Sequence, residues 1–535
     1  MVADRPARPD GGEADAWEET MPKRLPMLLV CNTLALAAVP TVAEAGKDDD
    51  TLTWVTATEI DTFDIYYQGL REVVITTLYN CDSLIYRDPI SGDYEPLLAE
   101  SYRWVDDVTL ELDLREGVRF HDGTDLDAED VVQTFRHVMK PDSGINVRLA
   151  VDWMDSVEAL GPHRVRIVAK APTPAALEFL SGNTPIYPSG HYDKAPSVTN
   201  AAGEMRRDWG AVRPVCTGPY RMTGFEAGTS ATFEKNPDYF QGGPKGQPTI
   251  GKIVYRTVSD SEAQLAELLT GSIDWIWGVP PENVEQLAGM GDVTVETAPT
   301  TRMSFLALDA AGRSGDTPLK DVRVRRAIFH AIDREAIAKL VGNSAEVLRS
   351  MCHPDQVGCT ADVTQWDYDP EQARKLLAEA GYPDGLDLPF YAYRDRAYSE
   401  AVLAYLRAVG IRPDFRFIQN VALRPLVIEG KAEMAHLTWG SQGMQDASAS
   451  VSLYFRGGVD DYARDPEVTA WLEAADSTMD VAERNKLYEK ALEKINDQAY
   501  SIPLFTYGRA YAFNDKLDYT VTPDEIAHFY LAGWK

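Results

Sequence analysis

Tyr94-Glu-Pro-Leu-Leu-Ala-Glu-Ser-Tyr-Arg-Trp104 and, three residues on, Val108-Thr-Leu-Glu-Leu-Asp-Leu-Arg-Glu-Gly-Val-Arg-Phe-His-Asp-Gly-Thr-Asp-Leu-Asp-Ala-Glu-Asp-Val-Val-Gln-Thr-Phe135 form the stretch on which the fold turns. Val108, Leu110, Leu112 and Leu114 alternate with Thr109, Glu111, Asp113 and Arg115. A period of two means a strand with one apolar and one polar face. Gly117 interrupts it, Val118 and Phe120 resume it, and Asp122-Gly123 turns it. Asp127 is placed to cap a helix whose first turn holds Glu129 and Asp130, where carboxylates favour the helix dipole. Val131, Val132, Phe135, Val138 and Met139 recur at helical spacing until Lys140-Pro141 stops the run. Physics alone yields a β-β-α unit.

The surrounding chain has 535 residues, too many for one ordinary core, so two or three domains are expected. Hydrophobic residues make up 44%, which supports a large core. A net charge of −31 gives a highly soluble surface and excludes nucleic acid as a partner, because phosphate binding needs a basic face. Residues 21–45 have the build of a secretory signal peptide. Met21-Pro-Lys23-Arg24 is basic, Leu25 to Val39 is apolar, and Ala43-Glu44-Ala45 is a cleavage site. The apolar run is too short for an ordinary membrane span. Met21 is the expected start, residues 1–20 an extension, and Gly46 the first mature residue. Cys31 lies inside the apolar run, so a lipoprotein is not expected.

Export implies an oxidising compartment. Cys81, Cys216, Cys352 and Cys359 remain in the mature chain and allow three pairings. Cys352-His-Pro-Asp-Gln-Val-Gly-Cys359 closes a short loop and is the first choice for a local disulfide, leaving Cys81 with Cys216. A zinc site at His353 is the rival, but no second closely spaced His or Cys pair supports it.

Further along, Thr51–Thr58, Arg164–Ala169, Ile273–Trp277, Arg302–Asp309, Leu386–Tyr393, Ile411–Phe417 and Ile502–Tyr507 have strand patterns. Helices are expected over 260–269, 322–332, 373–380 behind Asp369-Pro370, 400–409 behind Ser399, and 481–496 behind Asp480. The α-β-α-β succession after residue 369 suggests a mixed or parallel sheet covered by helices.

Pro96-Leu-Leu-Ala-Glu-Ser101, Leu114-Arg-Glu-Gly-Val-Arg-Phe-His-Asp-Gly123 and Ala128-Glu-Asp-Val-Val132 closely resemble the signature of family 5 extracytoplasmic solute-binding proteins, the peptide/nickel-type receptors of ABC importers. Tyr79 to Asp88, Asn236-Pro-Asp-Tyr-Phe240 and Leu319 to Arg334 continue the resemblance. Cys216-Thr-Gly-Pro-Tyr220 matches a family segment with Cys216 in place of glycine, which favours a Cys81–Cys216 bond. The resemblance covers about residues 52–519. It implies an α/β, two-lobed periplasmic-binding-protein fold (type II, large peptide-receptor class) with an extra subdomain in lobe I. Lobe I is expected at 46–300 plus 503–535, its extra subdomain at 95–220, and lobe II at 301–502. The implied function is a periplasmic receptor, not an enzyme. It would be a monomer without cofactor that closes over a peptide or peptide-like solute and hands it to the membrane permease.

No G-x-S-x-G, H-E-x-x-H or G-x-x-x-x-G-K-[ST] motif is present, so an exported peptide hydrolase has no visible machinery. A receptor for an opine, oligosaccharide or nickel chelate on the same fold is the alternative. A peptide receptor must neutralise two charged termini away from water, and each calls for an opposite charge or directed hydrogen bonds. In dipeptide-type relatives an Asp after a Trp pairs with the amine, and an Arg between a strand and a helix pairs with the carboxylate. By that resemblance Trp439, Gln442 and Asp446 form the first region, with Gln442 at the aligned position and Asp446 the nearest carboxylate. Arg394 or Arg396 is the carboxylate partner, and Tyr393 supplies an apolar wall with a hydroxyl. Trp275 and Trp277 are candidates to line lobe I.

Overall fold

The Asp127 carboxylate accepts the N–H groups of Glu129 (2.8 Å) and Asp130 (3.4 Å), and the Asp130 carboxylate takes the Asp127 N–H (2.8 Å). This reciprocal cap starts the helix Ala128–Val138. Val131, Val132, Phe135 and Val138 are all buried. They face a four-stranded antiparallel sheet ordered Ala99–Asp106, Thr109–Leu114, Arg164–Ala169, Met154–Gly161. Each large apolar side chain buried there contributes about 1.5–3 kcal/mol. Leu110, Leu112 and Leu114 enter the core as their alternation requires. Glu111 points the other way and is buried under Arg103, Arg164 and Arg166 at 2.5–2.7 Å. Val118 and Phe120 are buried but do not extend the strand. Phe120 N–H bonds to Thr124 O at 2.8 Å, closing a turn through Gly123, whose φ of +89° suits glycine.

The computed structural model describes residues 46–199, 205–342, 344–440 and 443–535, so the extension and signal segment at 1–45 lie outside the described residues. A ten-stranded sheet forms the frame. Its order is Tyr220–Glu226, Ser230–Lys235, Lys252–Thr257, Thr51–Thr56, Trp275–Trp277, Ser501–Asn514, Val293–Leu308, Met434–Trp439, Leu386–Ala392, Ile411–Phe417. Each side holds two parallel pairings, with Thr51–Thr56 between Lys252–Thr257 and Trp275–Trp277, and Leu386–Ala392 between Met434–Trp439 and Ile411–Phe417; the remaining pairings are antiparallel. Two long antiparallel strands, Val293–Leu308 and Ser501–Asn514, join the halves. Their pairing is broken between Pro299 and Met303. Such an irregularity bends a strand and re-aims its side chains.

Each half has its own core. Trp54, Tyr79, Phe233, Trp275 and Phe529 gather on one side. Leu306, Val324, Leu388, Leu406 and Phe505 gather on the other. This is the mixed α/β, two-lobed arrangement expected from the sequence. Ser501–Asn514 serves both cores, with Leu504 and Phe505 in one and Tyr511 and Phe513 in the other.

Cys81 is bonded to Cys216 and Cys352 to Cys359. The caps at Asp369 and Asp480 form as expected. The helix expected behind Ser399 instead begins earlier and spans Arg396–Ala408. The Ser399 hydroxyl caps nothing, because it bonds His436 Nδ1 at 2.8 Å in the core. His436 Nε2 meets Ser304 Oγ at 2.7 Å, and burial pushes this imidazole down to about 4. All three side chains are buried, so this Ser–His–Ser contact packs the sheet. Among the described residues no helix is long and apolar enough to cross a membrane.

Candidate functional site

The break in the long strand pair positions the site. Thr300 Oγ1 donates to Tyr507 O at 2.8 Å, and Thr301 N–H donates to Pro523 O at 3.0 Å. The next residue, Arg302, lies within the break in the ladder. A cavity of about 180 Å³ opens there, lined among others by Arg71, Val74, Arg302, Trp439, Asp524 and Ile526. A smaller cavity of about 70 Å³ adjoins it and shares Val74, Asn183, Gly443, Asp524 and Ile526. Both halves of the large sheet therefore contribute to one cleft region. Glu178 of the smaller sheet's subdomain also reaches across, taking the Gln445 N–H at 3.0 Å and the Tyr94 hydroxyl at 2.5 Å.

Two arginines, Arg71 and Arg302, stand on an otherwise largely apolar cavity wall that also carries Asp524. The buried Glu525 carboxylate meets three guanidinium groups, those of Arg71, Arg509 (3.1 Å) and Arg302 (3.5 Å). Burial pushes Glu525 up, but Arg71, Arg509 and Arg302 outweigh it and hold the carboxyl below its ordinary value. Burial pulls Arg71 down to about 10, with Arg302 and Arg509 adding to the effect against Glu525. The Trp277 ring lies between two of these cations, with Arg71 at 5.0 Å and Arg509 at 5.8 Å from its centroid. Asp524, beside Glu525, is engaged by Thr522 Oγ1 (2.7 Å), Ile526 N–H (3.0 Å) and His528 Nε2 (2.9 Å).

The sequence-derived residues divide into two groups. Trp439 is half-buried on the cavity wall and donates Nε1–H to Ala449 O at 2.7 Å. Tyr393 stands nearby, its hydroxyl 2.8 Å from Thr438 Oγ1. Arg394 is exposed next to the crossover, near Tyr507, whose hydroxyl is held by Asp395 at 2.5 Å. Trp277 supports arginines instead of forming a bare wall. Gln442 lies outside the described residues.

Three others are used elsewhere. Asp446 is engaged in a buried bidentate pair with Arg484 (2.7 and 2.8 Å) and with Ser448, away from the residues that line the cavity at the crossover. Trp275 is fully buried among Trp54, Tyr511 and Phe529. Arg396 pairs with Glu400 at 2.8 Å and lies over Phe415 and Phe417 on the exposed face of its helix. Sequence reasoning missed Arg71, Arg302, Arg509 and Glu525. One local signal was available, an arginine heading the mostly apolar run Met303 to Leu308.

The family model for bacterial extracellular solute-binding proteins, family 5, matches residues 93–461. The glutathione-binding protein GsiB of Salmonella paratyphi A is 25% identical over 496 residues, covering 88% of this chain and 89% of that protein. GsiB of Escherichia coli K12 is likewise 25% identical, covering 89% and 92%. Among solved structures, the dipeptide-binding protein from Pseudoalteromonas sp. SM9913 in complex with Met-Leu superposes with a TM-score of 0.75 at 20% identity, covering 91% of this chain and all of that one. HbpA2 from Haemophilus parasuis gives a TM-score of 0.76 at 21% identity with the same coverage.

Proposed function

Because the chain belongs to the family 5 bacterial extracellular solute-binding proteins, we propose that it is the receptor of an ABC importer for a peptide or peptide-like solute. The solute binds between the two lobes and is delivered to the permease. The observation that carries this reading is the partly open cavity at the strand crossover, with Arg71 from one side and Arg302 and Trp439 from the other. A ligand touching both sides favours the closed state by its differential affinity. The GsiB relatives and the Met-Leu complex support a peptide-like ligand.

The working protein is a monomer, exported through cleavage after Ala45 and resident in the periplasm. Lobe I comprises 46–300 and the C-terminal segment, with an extra subdomain over 95–220. Lobe II begins at 301. Leu504 and Phe505 pack with the lobe II core, which supports a return boundary near Gly508 over one at 503. Trp439, Tyr393 and Arg394 remain in the ligand-facing set, whereas Trp275, Arg396 and Asp446 hold the fold.

The test is a thermal-shift screen on chain that has been unfolded and refolded to strip bound solute. The panel holds di- to pentapeptides, amino acids, opines, oligosaccharides and nickel salts. A ligand at 100 times its Kd adds about 2.7 kcal/mol of stability. Stabilisation by peptides alone is expected; stabilisation by a sugar or by nickel alone would overturn the peptide reading. Arg396→Ala should leave the affinity of the best peptide within about twofold, since its exposed pair contributes little. Arg394→Ala should weaken a free-acid peptide several-fold. Equal losses in isothermal titration would place both arginines in one role.

A further inference from the structure

We propose that Arg71 and Arg302 together hold a carboxylate of the solute, with Glu525 fixing both guanidiniums and Trp277 supporting that of Arg71. The inference rests on the receptor reading and adds to it the chemical class of the group that is recognised.

Charge counting comes first. Three guanidiniums meet one carboxylate at Glu525, and counting the adjoining Asp524, held by Thr522, Ile526 and His528, the balance is three positive charges against two negative. The cluster therefore keeps a surplus of positive charge where water is restricted, and such a surplus is stabilised by an anion. Arg71 and Arg302 both line the cavity. The Arg302 Nε faces Glu525 at 3.5 Å, beyond a good hydrogen bond, so Glu525 holds this guanidinium only loosely. A guanidinium presents its donors in a planar fork that suits a carboxylate.

Local structure shows the same bias. Arg71 occupies the first position of the helix Arg71–Asn80, where a cation opposes the helix dipole. Glu525 has a φ of +60°, a left-handed conformation that is strained for a side chain of this kind. Strain of this sort persists where surroundings over-determine it, commonly at ligand sites. Gly440 leaves room for Arg302, since a Cβ there would come within 2.8 Å of an Arg302 Nη. Trp439, next to Gly440, closes the wall with a flat apolar face. A cationic fork beside an aromatic plane suits the terminal residue of a free-acid peptide. An amide or a neutral sugar offers the fork no charge.

The experiment titrates refolded protein with glutathione and with trialanine, each as the free acid and as its carboxyl ester, and with glutarate as a non-peptide acid. The free acids should bind and the esters should bind at least ~30-fold more weakly, the loss expected when one partner of a desolvated charge pair is removed. Arg302→Ala should reduce free-acid binding by a similar factor and leave weak ester binding unchanged. If that variant does not refold, Arg302→Lys keeps the charge without the fork, and Gly440→Ala crowds the guanidinium; both should show a smaller loss confined to the acids. Arg396→Ala is the control and should bind like the parent. Esters that bind as well as acids would overturn the carboxylate assignment while leaving a peptide receptor. Glutarate binding that is lost in Arg302→Ala, without binding of either peptide, would uphold the assignment and overturn the peptide reading. No binding of any probe would overturn both.

Discussion

Replacing Asp446 by alanine is expected to cost the fold about 3–5 kcal/mol, because it leaves a buried guanidinium without its counter-charge. Arg484 and Asp446 side chains are only 4% and 8% exposed, and two hydrogen bonds of 2.7 and 2.8 Å join them. The pair is embedded in a network. Arg484 also reaches Tyr488 Oη at 3.1 Å, and Tyr488 donates to Asp476 at 2.7 Å. Asp446 accepts the Ser448 N–H and hydroxyl, which shapes the turn after Trp439. Guanidinium chloride unfolding of Asp446→Ala, Arg484→Met and the double variant separates the contributions. The double variant should regain much of the loss, since removing both charges leaves none stranded. A loss below about 1 kcal/mol in the single variant would show that the pair is not desolvated. Asp446→Asn should shift stability for every ligand alike. Selective loss of amine-bearing ligands would return Asp446 to the binding role that its position after Trp439 suggested.

Removing the Cys81–Cys216 bond should be about as damaging. The bonded residues are 135 apart in sequence. In the chain-entropy view, closing a loop of that length in the unfolded chain is worth about 5 kcal/mol. The bond also ties the end of the helix Arg71–Asn80 to the segment leading into the strand Tyr220–Glu226. Gly218 packs against the Asn80 backbone at that join, and a Cβ there would come within 2.4 Å of the Asn80 carbonyl carbon. Because that helix carries Arg71, the same bond steadies one wall of the cavity. Cys81→Ala/Cys216→Ala should lose about 5 kcal/mol in denaturant unfolding, whereas Cys352→Ala/Cys359→Ala, closing a loop of separation 7, should lose about half as much. Equal losses for the two pairs would mean that the long loop is already compact in the unfolded chain.

What was legible in the sequence was local or repetitive. The Asp127 cap, the alternation in Thr109–Leu114, the Asp369-Pro370 start and the Cys352–Cys359 loop each depend on residues within about ten positions of one another. The long strand Val293–Leu308 looked shorter because Pro299 to Arg302 interrupts its pattern at the crossover. The candidate site was less legible. Resemblance pointed to Trp439, which stands on the cavity wall, but the Asp446 carboxylate was assigned without sight of Arg484, which arrives from a helix 38 positions later. The cluster of Arg71, Arg302, Arg509 and Glu525 spans most of the chain and is assembled only by the sheet order. A charged residue in sequence does not reveal whether its counter-charge equals it, and here that imbalance is the chemical signal.

The most direct test of the central claim is isothermal titration of refolded protein with free-acid tripeptides, read at several temperatures. One site per chain is expected, with a negative heat-capacity change from apolar surface buried as the lobes close over the solute, and with binding sharply reduced in Arg302→Ala. Saturable binding of a sugar or a nickel chelate, unaffected by Arg302→Ala and with no heat from any peptide, would contradict it.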